Sequence, residues 1–157
     1  MSGKKTTDLA NTIATAVRTA LNGGFLYLYS GPVPATADEA LDMVNDHTEI
    51  GKFSESDDGV TGLTFDAAAA GRIDKAAAED WRTTTSFDGA DDGETDLAPT
   101  FWRFCPDGDD GRGSATGARV QGTAGGPASG ADLRFGSNTL GNGVEQPISA
   151  FGLNYKL

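Results

Sequence analysis

The chain carries one cysteine and one histidine, Cys105 and His47, and these side-chain types often pair as nucleophile and base. Such a pair needs a third group to orient the imidazole, and neither residue has a candidate for that role near it in the sequence. Cys105 ends an aromatic run before Pro106, a position typical of a buried structural thiol. His47 follows a predicted helix, where a surface histidine is expected. We therefore predict that the chain has no catalytic residues and is not an enzyme.

Two acidic stretches could in principle hold a cation. The first, residues 107–111, reads Asp-Gly-Asp-Asp-Gly, and the second, residues 91–96, holds four carboxylates. An EF-hand loop that began at Asp107 would need a carboxylate at its twelfth position, where this chain has Ala118. Asp and Gly at this density are typical of solvent-exposed turns. We predict no metal site and no cofactor.

The charge balance excludes several classes of partner. The chain has 12 Lys and Arg against 23 Asp and Glu, which gives a formal net charge of −11. Nucleic acids and anionic membranes select clustered cations, so we expect neither as a partner. No apolar run is long enough to cross a bilayer, and the polar residues between Leu9, Ile13 and Val17 argue against a secretory signal. Folding in a cytoplasm is therefore expected.

The elements that would position these residues begin with an amphipathic helix. Leu9, Ile13 and Val17 recur at helical spacing over residues 8–21, Thr7 or Asp8 can cap the start, and Asn22-Gly23-Gly24 ends the pattern. An aromatic strand follows at residues 25–30. A capping-box pattern, Thr36 to Glu39, then predicts one short additional helix over residues 37–45.

The rest of the chain alternates strand-like runs with Gly- and Pro-rich turns, in keeping with its 22 Gly and 6 Pro. This spacing is typical of all-β domains. We predict a mainly β fold, an antiparallel β-sandwich of jelly-roll type, with an N-terminal arm and helix (residues 1–24) and a single β-sandwich domain (residues 25–157). The predicted strands are 49–54, 60–65, 100–105, 118–123, 131–135 and 148–155. Residues 66–98 show no clear pattern, apart from an exposed strand indicated by Thr83–Thr85 and a surface loop over 87–98.

Four residues are candidates for contacts with a partner protein. Leu9, Ile13 and Val17 form the stripe of the predicted helix, and such a stripe serves either a partner or the core of its own domain. Trp102 and Arg103 alternate along an aromatic strand, so one of them is expected to face outward. An outward Trp102 would anchor an interface.

Part of the sequence resembles a family of small virion proteins of tailed bacteriophages. In that family an amphipathic helix leads to an "LNGG" stop and an "IYSG-x-x-PAT" strand and turn, and similar residues stand here at Leu21–Gly24, Leu26–Pro32 and Pro34–Ala40. Weaker similarities are Phe101–Phe104, Asp107-Gly108, Gly130–Leu133 and Ser149–Leu153. The stretch 66–98 is longer and more acidic than the family pattern.

The resemblance implies a structural protein of the virion, assembled in the host cytoplasm. The leading hypothesis is a capsid decoration (cement) protein that binds and stabilises the outer surface of the shell. Its partners would be the major capsid protein and further copies of itself, in a homo-oligomeric arrangement on the particle. The alternative is a β-domain of the tail or a fibre that binds the host surface or a glycan.

Overall fold

The computed structural model describes residues 4–155, and within them it contains one helix, α1 (Thr7–Leu21). The hydroxyl of Thr6 accepts a hydrogen bond from the Leu9 amide at 3.3 Å and caps the helix. At the other end the chain turns through Gly23, whose positive φ of 83° favours glycine. The predicted helix 8–21 is thus confirmed, although Thr6 is the cap. Residues 1–3 of the predicted arm lie outside the described residues.

Twelve strands follow in the described part of the chain. They are β1 (Phe25–Ser30), β2 (Thr48–Glu55), β3 (Arg72–Asp74), β4 (Trp81–Thr84), β5 (Asp88–Gly89), β6 (Asp96–Leu97), β7 (Phe101–Cys105), β8 (Val120–Gly125), β9 (Leu133–Arg134), β10 (Leu140–Gly141), β11 (Glu145–Ile148) and β12 (Gly152–Asn154).

One curled sheet dominates the structure. Its strands run in the order β11-β4-β2-β1-β7-β8-β9, with β5 attached to β2, and only the β8–β9 pair is parallel. Two small antiparallel pairs, β10 with β6 and β12 with β3, lie beside it. The prediction of a mainly β, mostly antiparallel fold is confirmed.

Both faces of the central strands β1 and β7 are covered. Leu28 and Phe104 face the larger core, which α1 enters with Ala14 and Leu21, and we call this face the helix side. The opposite face of the same strands is called the loop side, because the segments 31–47 and 106–119 cover it. The loop-side core consists of Phe25, Tyr27, Tyr29, Leu41, Phe101 and Cys105.

The predicted short helix over residues 37–45 is wrong, because this segment forms turns. Its carbonyl groups are used elsewhere: those of Thr36 and Glu39 accept hydrogen bonds from Arg103, and that of Ala37 accepts one from Arg119. These bonds to two distant arginines hold the segment in its turns.

Two strand predictions also need correction. Residues 60–65 pair only through single bridges at Leu63 and Phe65, although both side chains are buried as expected. The predicted last strand, 148–155, is two strands, because β11 begins before Pro147 and the chain leaves the main sheet after Ile148. Pro147 lies in an end strand, where its missing amide proton costs least.

Candidate interaction surface

Helix α1 presents two apolar stripes to different surroundings. The buried stripe contains Ala10, Ala14 and Leu21, and Val17 packs against the same core while staying partly exposed. The second stripe is rotated by about 100° around the helix axis, since each of its residues precedes one of the first by a single position. It contains Leu9, Ile13, Ala16 and Ala20, and we call it the outer stripe.

The outer stripe is open to solvent in this chain. Leu9 is 51% exposed, Ile13 is partly exposed, and Ala16 and Ala20 are exposed. Of the predicted contact residues on the helix, Leu9 and Ile13 therefore lie on the surface, whereas Val17 contributes to the core. The stripe contains no charged residue, and the buried centres of protein interfaces are likewise depleted in charged residues.

Two threonines border the outer stripe and have their hydroxyl groups satisfied within the helix. Thr12 donates to the carbonyl of Asp8 at 2.9 Å, and Thr19 donates to the carbonyl of Thr15 at 3.0 Å. A hydroxyl that already has an acceptor loses less on transfer from water than a free one. The border of the stripe can therefore be desolvated at low cost.

Acidic residues are absent from a long stretch that begins after Asp8, in the first turn of α1. The sequence has no Asp or Glu between Asp8 and Asp38, and Arg18 is the only charged residue there. On the loop side, by contrast, residues 38–46 and 107–110 hold seven carboxylates. Helix α1 thus carries few carboxylates compared with these loop-side segments.

The sequence pattern left open whether Arg103 faces outward, and the structure places it inside the fold. Its side chain is fully buried on the loop side and has no carboxylate partner within residues 4–155. It donates to the side chain of Gln121 at 2.9 Å and to the carbonyls of Glu39, Gly111 and Thr36 at 2.8, 2.7 and 3.3 Å. Burial lowers the pKa of this guanidinium. The sequence signal was an arginine inside an aromatic strand, which requires buried acceptors.

Two arginines, Arg112 and Arg119, form ion pairs at the loop side. Arg119, with a side chain 2% exposed, binds both oxygens of Asp109 at 2.5 and 2.6 Å. These hydrogen bonds hold the pKa of Asp109 below its usual range. Arg112 bridges Glu49 at 2.8 Å and Asp88 at 2.6 Å. The turn 107–111 is therefore an ion-paired part of the fold and is not the fully solvated turn that we predicted.

The prediction of an outward-facing Trp102 is wrong. Trp102 is only 3% exposed and packs edge-on against Phe151, with ring centroids 4.9 Å apart. Gly122 on the adjacent strand β8 approaches it so closely that a Cβ there would lie 2.5 Å from its Cζ2 atom. Both faces of β7 are covered, so alternation along the strand does not bring either Trp102 or Arg103 to the surface.

His47 and Cys105 both have structural environments. His47 is buried, contrary to the expected surface position: Nε2 lies 2.9 Å from the carbonyl of Pro32, and Nδ1 accepts from the Asp42 amide at 3.1 Å. Its imidazole packs edge-on against Phe101. Burial raises the pKa of the Cys105 thiol to about 12, so the thiolate nucleophile is strongly disfavoured.

Surface depressions in the described part of the chain concentrate near residues 149–151. Three of them, of about 390, 400 and 260 Å³, share Ala150 in their lining. A polar one of about 330 Å³ is lined by residues that include Glu49, Asp88 and Arg112. None of these four contains Cys105 or His47. Residues 4–155 include no group of three or more His, Cys, Asp or Glu placed to hold a metal ion.

Comparisons of the chain with protein-family models, with curated proteins and with solved structures find no match. Within residues 4–155, α1 does not have the length and apolar character that a bilayer span requires. The sequence resemblance to phage virion proteins therefore stays a prediction. The outer stripe is the feature of the structure that bears most directly on function.

Proposed function

We propose that this chain is a structural protein of a tailed-phage virion, and specifically a decoration protein on the outer surface of the capsid shell. The observation that carries the proposal is the exposed apolar outer stripe on the helix side, which contains Leu9 and Ile13 and is free of carboxylates. The resemblance of residues 21–40 to phage virion proteins supports it. The structural environments of Cys105 and His47 agree with a role that involves no chemical step.

Such a protein acts by binding, and the free energy of its binding stabilises the capsid shell. Each square ångström of apolar surface buried between a decoration protein and its neighbours stabilises the shell by about 25 cal/mol. The partners are the major capsid protein and neighbouring copies of the chain, all met through the helix side. The acidic loop side then faces solvent, and its like charges keep assembled particles apart. The protein would join the particle in the host cytoplasm.

The finer architecture belongs to the same proposal. A decoration protein of this kind would be a jelly-roll-like sandwich, and the curled main sheet with its two strand pairs is compatible with one. A second layer would be formed by the β3–β12 and β6–β10 pairs, which lie off the path of the main sheet. Contacts of Ile73 and Leu140 with the larger core support this arrangement.

Copy number tests the proposal. Quantitative electrophoresis of purified phage particles that contain this protein should give hundreds of copies per virion, and a map of the particle should place them on the outside of the head. A handful of copies per virion, or a location in the tail, would overturn the assignment to the head.

The alternative function, glycan or host-surface binding by a tail or fibre domain, has less support from the geometry. Sugar-binding surfaces of proteins depend on exposed aromatic rings that stack on the ligand. Of the 13 aromatic residues, all within the described range, every one except Tyr155 is buried. We therefore retain the alternative only as an outcome of the copy-number measurement.

A further inference from the structure

We propose that two copies of this chain pair through α1, antiparallel about a two-fold axis, with Leu9 of each copy packed on Ala20 of the other and Ile13 on Ala16. This pairing specifies how the neighbouring copies of the virion proposal meet, and it can be tested on the isolated chain, without a particle. It assigns the outer stripe to one occupant, a second copy of the same helix.

The spacing of the outer stripe is that of a helix-pairing seam. Its residues stand at positions 9, 13, 16 and 20, so the intervals are four, three and four residues. This is the alternation of core positions in a heptad pattern, which keeps one stripe of a helix facing a partner helix. At about 100° per residue, the four side chains fall within about 60° of one another around the axis.

The order of residue sizes in the stripe makes it complementary to itself. Two large side chains, Leu9 and Ile13, occupy its N-terminal half, and two alanines, Ala16 and Ala20, occupy its C-terminal half. An antiparallel two-fold arrangement places each large side chain opposite an alanine. One axis satisfies both pairs, because the midpoint of 9 and 20 coincides with the midpoint of 13 and 16. Isologous interfaces require this kind of self-complementarity, and a parallel pair would instead oppose large to large.

Charge repulsion opposes pairing least at this surface. Chains with a net charge of −11 repel one another, and the repulsion is least where few carboxylates are brought together. The outer stripe lies in the longest acid-free stretch of the sequence, on the opposite side of β1 and β7 from the acidic segments 38–46 and 107–110. Asp8 is the only acidic residue of α1, so an α1 pair brings few carboxylates of the two copies close together.

The size of the stripe sets the strength of the pairing. From Leu9 to Ala20 the helix rises about 16 Å, and a stripe about 10 Å wide gives a footprint on the order of 160 Å² per copy. A stable dimer buries about 800 Å² per partner. We therefore expect weak pairing, which is seen only at high concentration and becomes significant when copies are held close together.

Sedimentation equilibrium of the full chain over a concentration series tests the pairing. The wild type should approach a dimer at the highest concentrations, and Ala16→Glu should weaken association at least about tenfold, because it buries a carboxylate beside Ile13 of the other copy. The matched control is Thr15→Glu, which adds the same charge on a different, exposed face of α1. Far-UV circular dichroism should show that both variants keep the wild-type fold.

Directed disulfide formation tests the orientation. A mixture of Ile13→Cys and Ala16→Cys chains, each also carrying Cys105→Ala, should form mixed disulfides faster than either variant alone, because antiparallel pairing brings 13 next to 16. Faster linkage of Ile13→Cys to itself would mean parallel pairing and would overturn the proposal. A wild-type chain that stays monomeric throughout the series would also overturn it, as would a dimer that Ala16→Glu leaves intact.

Discussion

At the scale of single residues, Arg103 decides how the loop side is built. One guanidinium binds carbonyls from two separate segments, 36–39 and Gly111, and the side chain of Gln121. A buried cation without a carboxylate partner is stable only when its donors are satisfied, so these segments cannot move independently. Arg103 therefore fixes the positions of these loop-side segments relative to the sheet.

We predict that Arg103→Met lowers the free energy of unfolding by about 3 kcal/mol, because it removes the guanidinium donor from the buried carbonyl of Gly111 and from the partly buried carbonyls of Thr36 and Glu39. Urea unfolding at neutral pH measures the effect. Arg134→Met, which shortens an exposed arginine, should change stability by less than about 0.5 kcal/mol and serves as the control. Equal stability of the two variants would show that the Arg103 network is dispensable.

Gly122 controls the position of Trp102. A methyl group there would overlap the indole of Trp102, which has no exposed space into which to move. We expect Gly122→Ala to destabilise the protein by about 1–3 kcal/mol through overpacking. Gly117→Ala, at a glycine with nothing within 4 Å of the added Cβ, should leave the thermal midpoint almost unchanged. A wild-type midpoint for Gly122→Ala would contradict the tight contact.

At the scale of elements, the sequence correctly predicted the helix and strands whose formation depends mainly on residues close together in the chain. The helix 8–21 and the strands at 25–30 and 100–105 have strong periodicity or long apolar runs, and all three form. The helix over 37–45 does not, although its capping box and Leu41 fit the pattern. Arg103 and Arg119, more than 60 residues away, take its carbonyl groups, and no short window of sequence contains that information.

The exposure of the outer stripe could not be predicted from a short window of sequence either. Leu9, Ile13 and Val17 looked equivalent in the sequence, because all three fall on one broad face of the helix. In the structure, Val17 packs against the core beside Ala14 and Leu21. Leu9 and Ile13 instead lie on the surface. Which half of an amphipathic face is buried depends on the sheet that it meets, and the sheet is assembled from distant strands.

The pair Asp109–Arg119 ties the 106–119 segment to the sheet, and its contribution depends on pH. The pKa of Asp109 is below its ordinary value of 3.8, chiefly because Arg119 donates hydrogen bonds to the ionised carboxylate. A lowered folded-state pKa means that the stabilisation is full above the unfolded-state pKa and is lost as pH falls through the folded-state pKa.

We therefore predict that Asp109→Asn lowers the free energy of unfolding by about 2 kcal/mol above about pH 5, and that the difference from the wild type shrinks as the pH falls below about 4. Urea unfolding across this range provides the measurement. At pH 7, Asp107→Asn in the same turn should match the wild type, because Asp107 is exposed. A difference for Asp109→Asn that grows on acidification would refute the assignment.

At the scale of the whole molecule, different segments cover the two faces of the central strands. The helix side carries α1 and the neutral outer stripe, and the loop side carries acidic segments fixed by buried arginines. Both sides pack on the same two strands, β1 and β7, so their orientation relative to each other is fixed. A partner that binds one side therefore leaves the other side exposed to solvent.

This arrangement requires that α1 and the sheet unfold together, because Leu21 is 1% exposed within the core that also holds Trp81 and Trp102. Leu21→Ala should destabilise the whole chain by about 2–5 kcal/mol through the cavity it leaves. Leu9→Ala, at a side chain that is half exposed, should cost less than about 0.5 kcal/mol. Urea unfolding followed by tryptophan fluorescence and by far-UV circular dichroism should give one coincident transition, shifted only in Leu21→Ala. If the helix were an arm that detaches from a separate β-domain, the fluorescence transition would keep its wild-type midpoint while the helical signal was lost earlier.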